Sequence, residues 1–239
     1  MRKCLKRIAP VVLLAFLAGA FFAYTGNYYH ADDAALAAMA SDDNVAIIET
    51  DYGWLFAGPS DDTALIFYPG AKVEAEAYAP MLRLLASGGM DVCLVEMPFR
   101  RAFFGMDKAE SVMREHSYSR WFIGGHSLGG AMEASCAEDH AEELTGVILF
   151  AAYPTKTLDE RLVEISLYGS EDGVLNMERI AAGRAYAPEA FYEYVIEGGN
   201  HARFGNYGEQ EGDRAAKITG QEQQRQAAEY ILSVSMAQK

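Results

Sequence analysis

From Ala64 to Ile196 the chain alternates short apolar runs with segments whose apolar residues recur at helical spacing, and few folds accept that rhythm. Ala64-Leu65-Ile66-Phe67-Tyr68 is continuously apolar and stops at Pro69-Gly70, as a strand buried on both faces does. Glu74 to Ala86 follows with Tyr78, Met81, Leu82 and Leu85 on one helical face, and Ser87-Gly88-Gly89 ends it. The unit then repeats. Strands are predicted over Asp91–Val95, Trp121–Gly124, Gly146–Ala151, Val163–Tyr168 and Tyr192–Ile196. Helices are predicted over Met106–His116, Leu128–Glu138, Leu175–Arg184 and Gln221–Met236. Strand, helix, strand in this order predicts an α/β fold, a mostly parallel central sheet with helices on both faces. Ligand sites of such sheets lie beyond the carboxyl ends of the strands. Upstream, Val45–Thr50 and Gly53–Ala57 are split by Asp51-Tyr52-Gly53 and read as a hairpin. The alanine-rich, acidic stretch Ala31–Ala40 reads as a short helix or linker.

The first thirty residues are of another kind. Arg2, Lys3, Lys6 and Arg7 precede an uncharged stretch whose strongly apolar part runs from Ile8 to Tyr24. That is the short end of the roughly 17–25 residues that span a bilayer. Ala18-Gly19-Ala20 would serve as a secretory cleavage site. The apolar continuation through Phe21-Phe22-Ala23-Tyr24 favours an uncleaved anchor with its cationic end in the cytoplasm. Residues 1–30 are therefore expected to be a signal or membrane-anchor segment, and 31–239 one folded domain held outside the cytoplasmic membrane or secreted. With 51% hydrophobic residues there is enough apolar material for one sizeable core.

The net charge of −14 and the lack of a basic stripe with interleaved aromatics exclude nucleic acid as a partner. Three cysteines make no disulfide framework, and Cys93 and Cys136 read as small core residues of a strand and a helix. No metal-ligand spacing is visible, so neither a metal nor an organic cofactor is expected.

Chemistry enters at Gly125-His126-Ser127-Leu128-Gly129. In a Gly-x-Ser-x-Gly turn between a strand and a helix the serine sits in strained backbone, and only tiny neighbours let the two elements approach. A serine hydroxyl needs a base. Of five histidines, His201 alone follows the last strand, in Glu197-Gly198-Gly199-Asn200-His201, at the right point in the order serine, acid, histidine. The acid is expected in Gly169-Ser170-Glu171-Asp172-Gly173, where Asp172 is preferred to Glu171 because it leaves the chain more room to turn back. The oxyanion donors are expected to be the N–H of Leu128, at a helix N-terminus, and that of Ala71, after Pro69-Gly70.

With these parts in place the chain resembles the α/β-hydrolase superfamily, and within it the small, largely bacterial α/β-hydrolase family 5 group. The stretches that carry the likeness are Tyr68-Pro69-Gly70-Ala71-Lys72-Val73, Met97-Pro98-Phe99, Gly124 to Met132 and Gly198-Gly199-Asn200-His201-Ala202. The resemblance implies the same triad of Ser127, Asp172 and His201. Arg100-Arg101 departs from the more neutral residues expected after the Met-Pro-Phe turn. The superfamily's usual lid insertion would fall between Ala152 and Leu162, which is only loop-sized. An open pocket is expected, lined by Phe99, Phe103, Phe104, Tyr153, Phe204 and Tyr207. The reading is a serine hydrolase that cleaves carboxylic esters of small acyl substrates. The alternatives are an amidase, peptidase or thioesterase with the same triad, or a cell-surface binding module with a vestigial site.

Overall fold

The structure, a computed structural model, describes residues 26–97 and 108–237. Among these residues eight strands run in chain order: β1 Ala46–Thr50, β2 Gly53–Ala57, β3 Thr63–Tyr68, β4 Asp91–Val95, β5 Arg120–His126, β6 Gly146–Phe150, β7 Val163–Gly169 and β8 Phe191–Ile196. The helices are α1 Asp33–Ala37, α2 Ala79–Ser87, α3 Lys108–Glu115, α4 Leu128–Cys136, α5 Met177–Gly183 and α6 Gly220–Ala237. The strands form one sheet in the order β1-β2-β4-β3-β5-β6-β7-β8. The hairpin β1-β2 joins β4 antiparallel, and every pairing from β4 to β8 is parallel. This is the doubly covered α/β sheet expected from the alternation.

Period-two alternation divides the strand side chains between two cores. Leu65 and Phe67 of β3, with Ile148 and Phe150 of β6, pack under Met81, Leu82 and Leu85 of α2 and Ala227, Ile231 and Val234 of α6. Ile66 and Tyr68, with Val147 and Leu149, face Val112 of α3 and Ala134 of α4. Every residue of β3, β4, β6 and β7 is buried, which is why β3, β4 and β6 read as mainly apolar runs, while β7 also buries the polar Glu164 and Ser166. The helix predicted from Glu74 begins at Ala79, with a 3₁₀ turn over Ala75–Tyr78 before it. Pro80, which lacks an N–H, sits in the first turn of α2, where such a donor has no helical partner.

Parallel register gathers the loops that matter along one edge. Tyr68 pairs with Gly125, His126 with Phe150 and Gly169 with Ile196. The loops that follow carry Gly70-Ala71, Ser127, Ala151-Ala152-Tyr153, Asp172 and His201. Residues 28–32 cross the same edge. Tyr29 forms a parallel bridge with Val73, its N–H donates to the Lys72 carbonyl at 2.7 Å, and the Asp32 N–H donates to the Asn206 carbonyl at 2.9 Å. The basic and strongly apolar part of the N-terminal segment lies outside the described residues, among which no helix is long and apolar enough to cross a membrane.

Candidate active site

Ser127 stands between β5 and α4 with φ 55° and ψ −121°. Its N–H donates to the Phe150 carbonyl at 2.9 Å and its carbonyl accepts from the Ala131 N–H at 3.1 Å. The turn therefore holds the residue by its backbone, and Ser127 is only partly buried. Glycines make this possible. A Cβ on Gly125 would come 2.2 Å from the Tyr68 carbonyl oxygen, and one on Gly129 would come 2.4 Å from that of Pro69. Among the described residues, the non-glycine positions with positive φ are Lys72, Ser127 and Ala151. All three lie in loops at this edge.

His201 is buried, and its Nδ1 lies 2.8 Å from Asp172 Oδ2. The other oxygen of Asp172 accepts the N–H groups of Val174 at 2.9 Å and Leu175 at 2.7 Å. The carboxylate is thus fixed by its own loop and aims one oxygen at the imidazole. Glu171 turns outward to Lys217 Nζ at 2.5 Å. The second imidazole nitrogen, Nε2, is buried without a hydrogen-bond partner. A buried polar atom left so costs roughly 1–3 kcal/mol, and Ser127 is not hydrogen-bonded to it although both residues line one cavity.

Ser127 and His201 line one cavity of about 220 Å³ with Leu128, Ala131, Ala151, Ala152, Tyr153, Val174, Leu175 and Asn176. Its walls are apolar, and Leu128 and Val174 are exposed at its rim, 43% and 37% accessible. Among the described residues neither the Leu128 N–H nor the Ala71 N–H has an acceptor. Leu128 opens α4, whose first N–H groups have no helical partner. Ala71 is partly buried in the Pro69–Val73 loop, which touches the elbow helix at Gly129 but is not part of the cavity wall.

Of the aromatics expected to line the pocket, Tyr153 does so. Phe204 and Tyr207 do not. The 3₁₀ turn Ala202–Phe204 rolls the chain inward after His201. Phe204 is fully buried against the rings of His126 and Phe150, 5.7 and 5.8 Å away. Tyr207 packs on Tyr29 and Tyr78 and donates its hydroxyl to Gln210 Oε1 at 3.0 Å. Phe99, Phe103 and Phe104 lie outside the described residues. Val174, Leu175, Ala131 and Ala151 form the walls instead.

Several residues that shape the site carry no motif in the sequence. Arg214 donates to the carbonyls of Ser170 and Glu171, each at 3.1 Å, and of Asp172 at 2.8 Å, and so clamps the acid loop. Asp213 accepts from the N–H of Gly173 on that loop and of Ala202 beside His201, both at 2.9 Å. Gln223 of α6, fully buried, brackets the Asn200 peptide at 2.9 and 2.7 Å. A second cavity, of about 600 Å³, is lined by Asn200, Arg203, Asp213 and Arg214 and does not include Ser127. Arg214, Asp213 and Asn200 in its wall are already bonded to the chain, and their geometry serves the two loops. No three His, Cys, Asp or Glu side chains among the described residues are grouped to hold a metal ion.

A family model described as the alpha/beta hydrolase family matches residues 64–225. No curated protein sequence matches the chain. Solved structures do. Dienelactone hydrolase from Anabaena variabilis superposes with a TM-score of 0.61 at 10% identity, over 82% of this chain and 99% of that one. TT1662 from Thermus thermophilus gives 0.59 at 16% identity, over 81% and 98%. Est1E from Butyrivibrio proteoclasticus gives 0.57 at 12% identity, over 81% and 100%. At such identities the likeness is one of fold.

Proposed function

The chain belongs to the alpha/beta hydrolase family, and from that premise we propose that it is a serine hydrolase cleaving carboxylic esters through an acyl-enzyme. One observation carries the reading. A serine in strained elbow backbone shares a cavity with a buried histidine whose Nδ1 is paired to a carboxylate and whose Nε2 has no partner.

In this mechanism Ser127 Oγ attacks the acyl carbon and its proton passes to His201 Nε2. Asp172 holds the Nδ1–H, fixes the ring orientation and stabilises the imidazolium without taking the proton. The carbonyl oxygen becomes an oxyanion that accepts from the N–H groups of Leu128 and Ala71. Collapse expels the alcohol, which takes the proton from His201, and water then repeats the sequence on the acyl-enzyme. The apolar walls suit a small uncharged acyl group. Asn176 also lines the cavity, but its Oδ1 caps α5 by accepting the Arg179 N–H at 3.0 Å, which leaves its amide nitrogen as the group to offer a substrate heteroatom.

A fluorophosphonate probe should label Ser127, and Ser127→Ala should abolish that labelling. Matched esters, thioesters and amides then order the bond classes, with esters expected fastest. Labelling that persists in Ser127→Ala overturns the assignment. The N-terminal segment is proposed to anchor the enzyme with its catalytic domain outside the cytoplasmic membrane. N-terminal sequencing of membrane and soluble fractions tests this, since a mature terminus beyond Ala20 in the soluble fraction would show cleavage instead.

A further inference from the structure

His126 directly precedes the proposed nucleophile, is sealed from solvent and takes no part in the mechanism above. Both of its nitrogens are nonetheless bonded. Nε2 lies 3.1 Å from the His201 carbonyl oxygen, which can only accept, so Nε2 carries the hydrogen. In the neutral ring Nδ1 is then an acceptor and takes the Tyr78 hydroxyl at 2.8 Å. The Tyr78 oxygen in turn accepts the Gly70 N–H at 3.1 Å. Burial, with the nearby His201 as a second cause, pushes His126 well below the usual imidazole range, which agrees with the neutral tautomer.

One unbranched line of hydrogen bonds therefore runs from Gly70 through Tyr78 and His126 to the backbone of His201. It crosses all three loops of the site: the one that offers Ala71, the elbow that offers Ser127, and the one that offers the base. The packing is as close as the bonding. A Cβ on Gly70 would lie 2.8 Å from His126 Nδ1 and 2.9 Å from the Tyr78 oxygen, so the loop approaches the pair by its bare backbone. The ring of His126 stands 4.5 Å from that of His201 and 5.7 Å from that of Phe204.

We propose that Tyr78 and His126 are positioning residues, a buried brace that sets the spacing between the oxyanion loop, the nucleophile and His201. This rests on the reading of Ser127 and His201 given above. The reason for a brace is geometric. Three separate loops must meet around one acyl carbon, and a displacement of about 1 Å there can cost about a hundredfold in rate. Neither residue lines the acyl cavity, so the brace acts on the chemical step and leaves substrate binding alone.

The experiment is steady-state ester hydrolysis with active sites counted by fluorophosphonate titration, on wild type and four variants. Tyr78→Phe removes only the central hydroxyl and should lower kcat per titrated site by about 10–100-fold with KM within about twofold. His126→Gln keeps an amide donor near the Nε2 position, and His126→Asn keeps an acceptor near the Nδ1 position. Each should retain more activity than His126→Leu, which restores neither bond. Wild-type kcat per titrated site in Tyr78→Phe and His126→Leu, whatever their melting temperatures, overturns the brace. If Tyr78→Phe does not fold, the ranking of the three His126 variants decides alone: Gln and Asn above Leu supports the proposal, and equal kcat in all three overturns it. Absence of Ser127 labelling in wild type would instead count against the nucleophile assignment.

Discussion

His201 Nδ1 and Asp172 Oδ2 meet at 2.8 Å with both side chains closed to solvent, and the remaining Asp172 oxygen is held by the N–H groups of Val174 and Leu175. That division of labour makes Asp172→Asn informative. The amide oxygen stays with the two loop N–H groups, so the amide nitrogen faces His201. The ring must then carry its hydrogen on Nε2 and cannot accept the serine proton. We expect kcat to fall by about 10⁴-fold, as for other triads given the wrong tautomer, while the melting temperature changes little. An activity loss below tenfold would remove Asp172 from the mechanism.

Arg214 tests the shell behind the acid. Its guanidinium spans three successive carbonyls of the Ser170–Asp172 loop. Arg214→Met keeps much of the aliphatic stem and loses all three bonds, so the loop should widen and Asp172 should drift from His201. A fall in kcat of about tenfold is expected, with KM little changed, because a misaligned orienting group costs rate before it costs binding. Arg214→Lys can bond one carbonyl at most and should recover only part of the loss. Equal kinetics for all three proteins would show that the loop holds itself.

The elbow glycines separate packing from conformation. In Gly125→Ala the new methyl meets a backbone oxygen of β3 at 2.2 Å, and no side chain can move aside. The β3–β5 contact must open, which places this change among the severe ones, at about 4 kcal/mol or more. Either the protein is not recovered in soluble form or its melting temperature falls by about 8 °C or more, using the usual few degrees per kcal/mol at this size. Gly208→Ala is the control. Its φ of 85° strains an alanine but nothing stands within 4 Å, so the cost should be about 1 kcal/mol.

Much of this architecture was legible because burial on both faces leaves a plain mark, as in Thr63–Tyr68 and Gly146–Phe150. The elbow was legible because its glycines are local in sequence. The pocket walls were less so. An aromatic in a loop after a histidine can turn outward or inward, and the 3₁₀ turn at Ala202–Phe204 sends Phe204 into the core. The brace left no trace either, since Tyr78 lies 48 residues from His126 and His126 lies 75 from His201. Single side chains that meet across such separations have no spacing to read.

Two buried carboxyls give the fold a pH dependence with a definite sign. Burial, and then the charge of Glu193, push Glu164 up to about 8, and one of its oxygens has no partner. Burial alone holds Glu133 of α4 well above the usual carboxylate range, with neither oxygen bonded. As pH rises past the ordinary glutamate value the unfolded chain releases these protons and the folded chain keeps them. Stability therefore falls with rising pH until the folded groups ionise. Glu164→Gln should melt close to wild type at pH 5 and a few degrees higher at pH 8.5, the gap opening steadily between. A gap that does not change with pH would mean Glu164 is not the group responsible.

The shape of the acyl cavity predicts a selectivity that can be moved. Its volume is about 220 Å³, and Ala131 of α4 forms part of one wall. Leucine is a good helix former and Ala131 is only partly buried, so Ala131→Leu should leave the fold intact while filling space beside Ser127. Acetyl and propionyl esters should still fit and keep kcat/KM within about threefold of wild type. Hexanoyl and octanoyl esters should lose about 10–100-fold or more, since an apolar wall discriminates by about 1–3 kcal/mol for each methylene it displaces. The loss should appear in kcat/KM and grow with chain length. A uniform decrease across the series would mean that Ala131 supports the elbow and does not bound the acyl group.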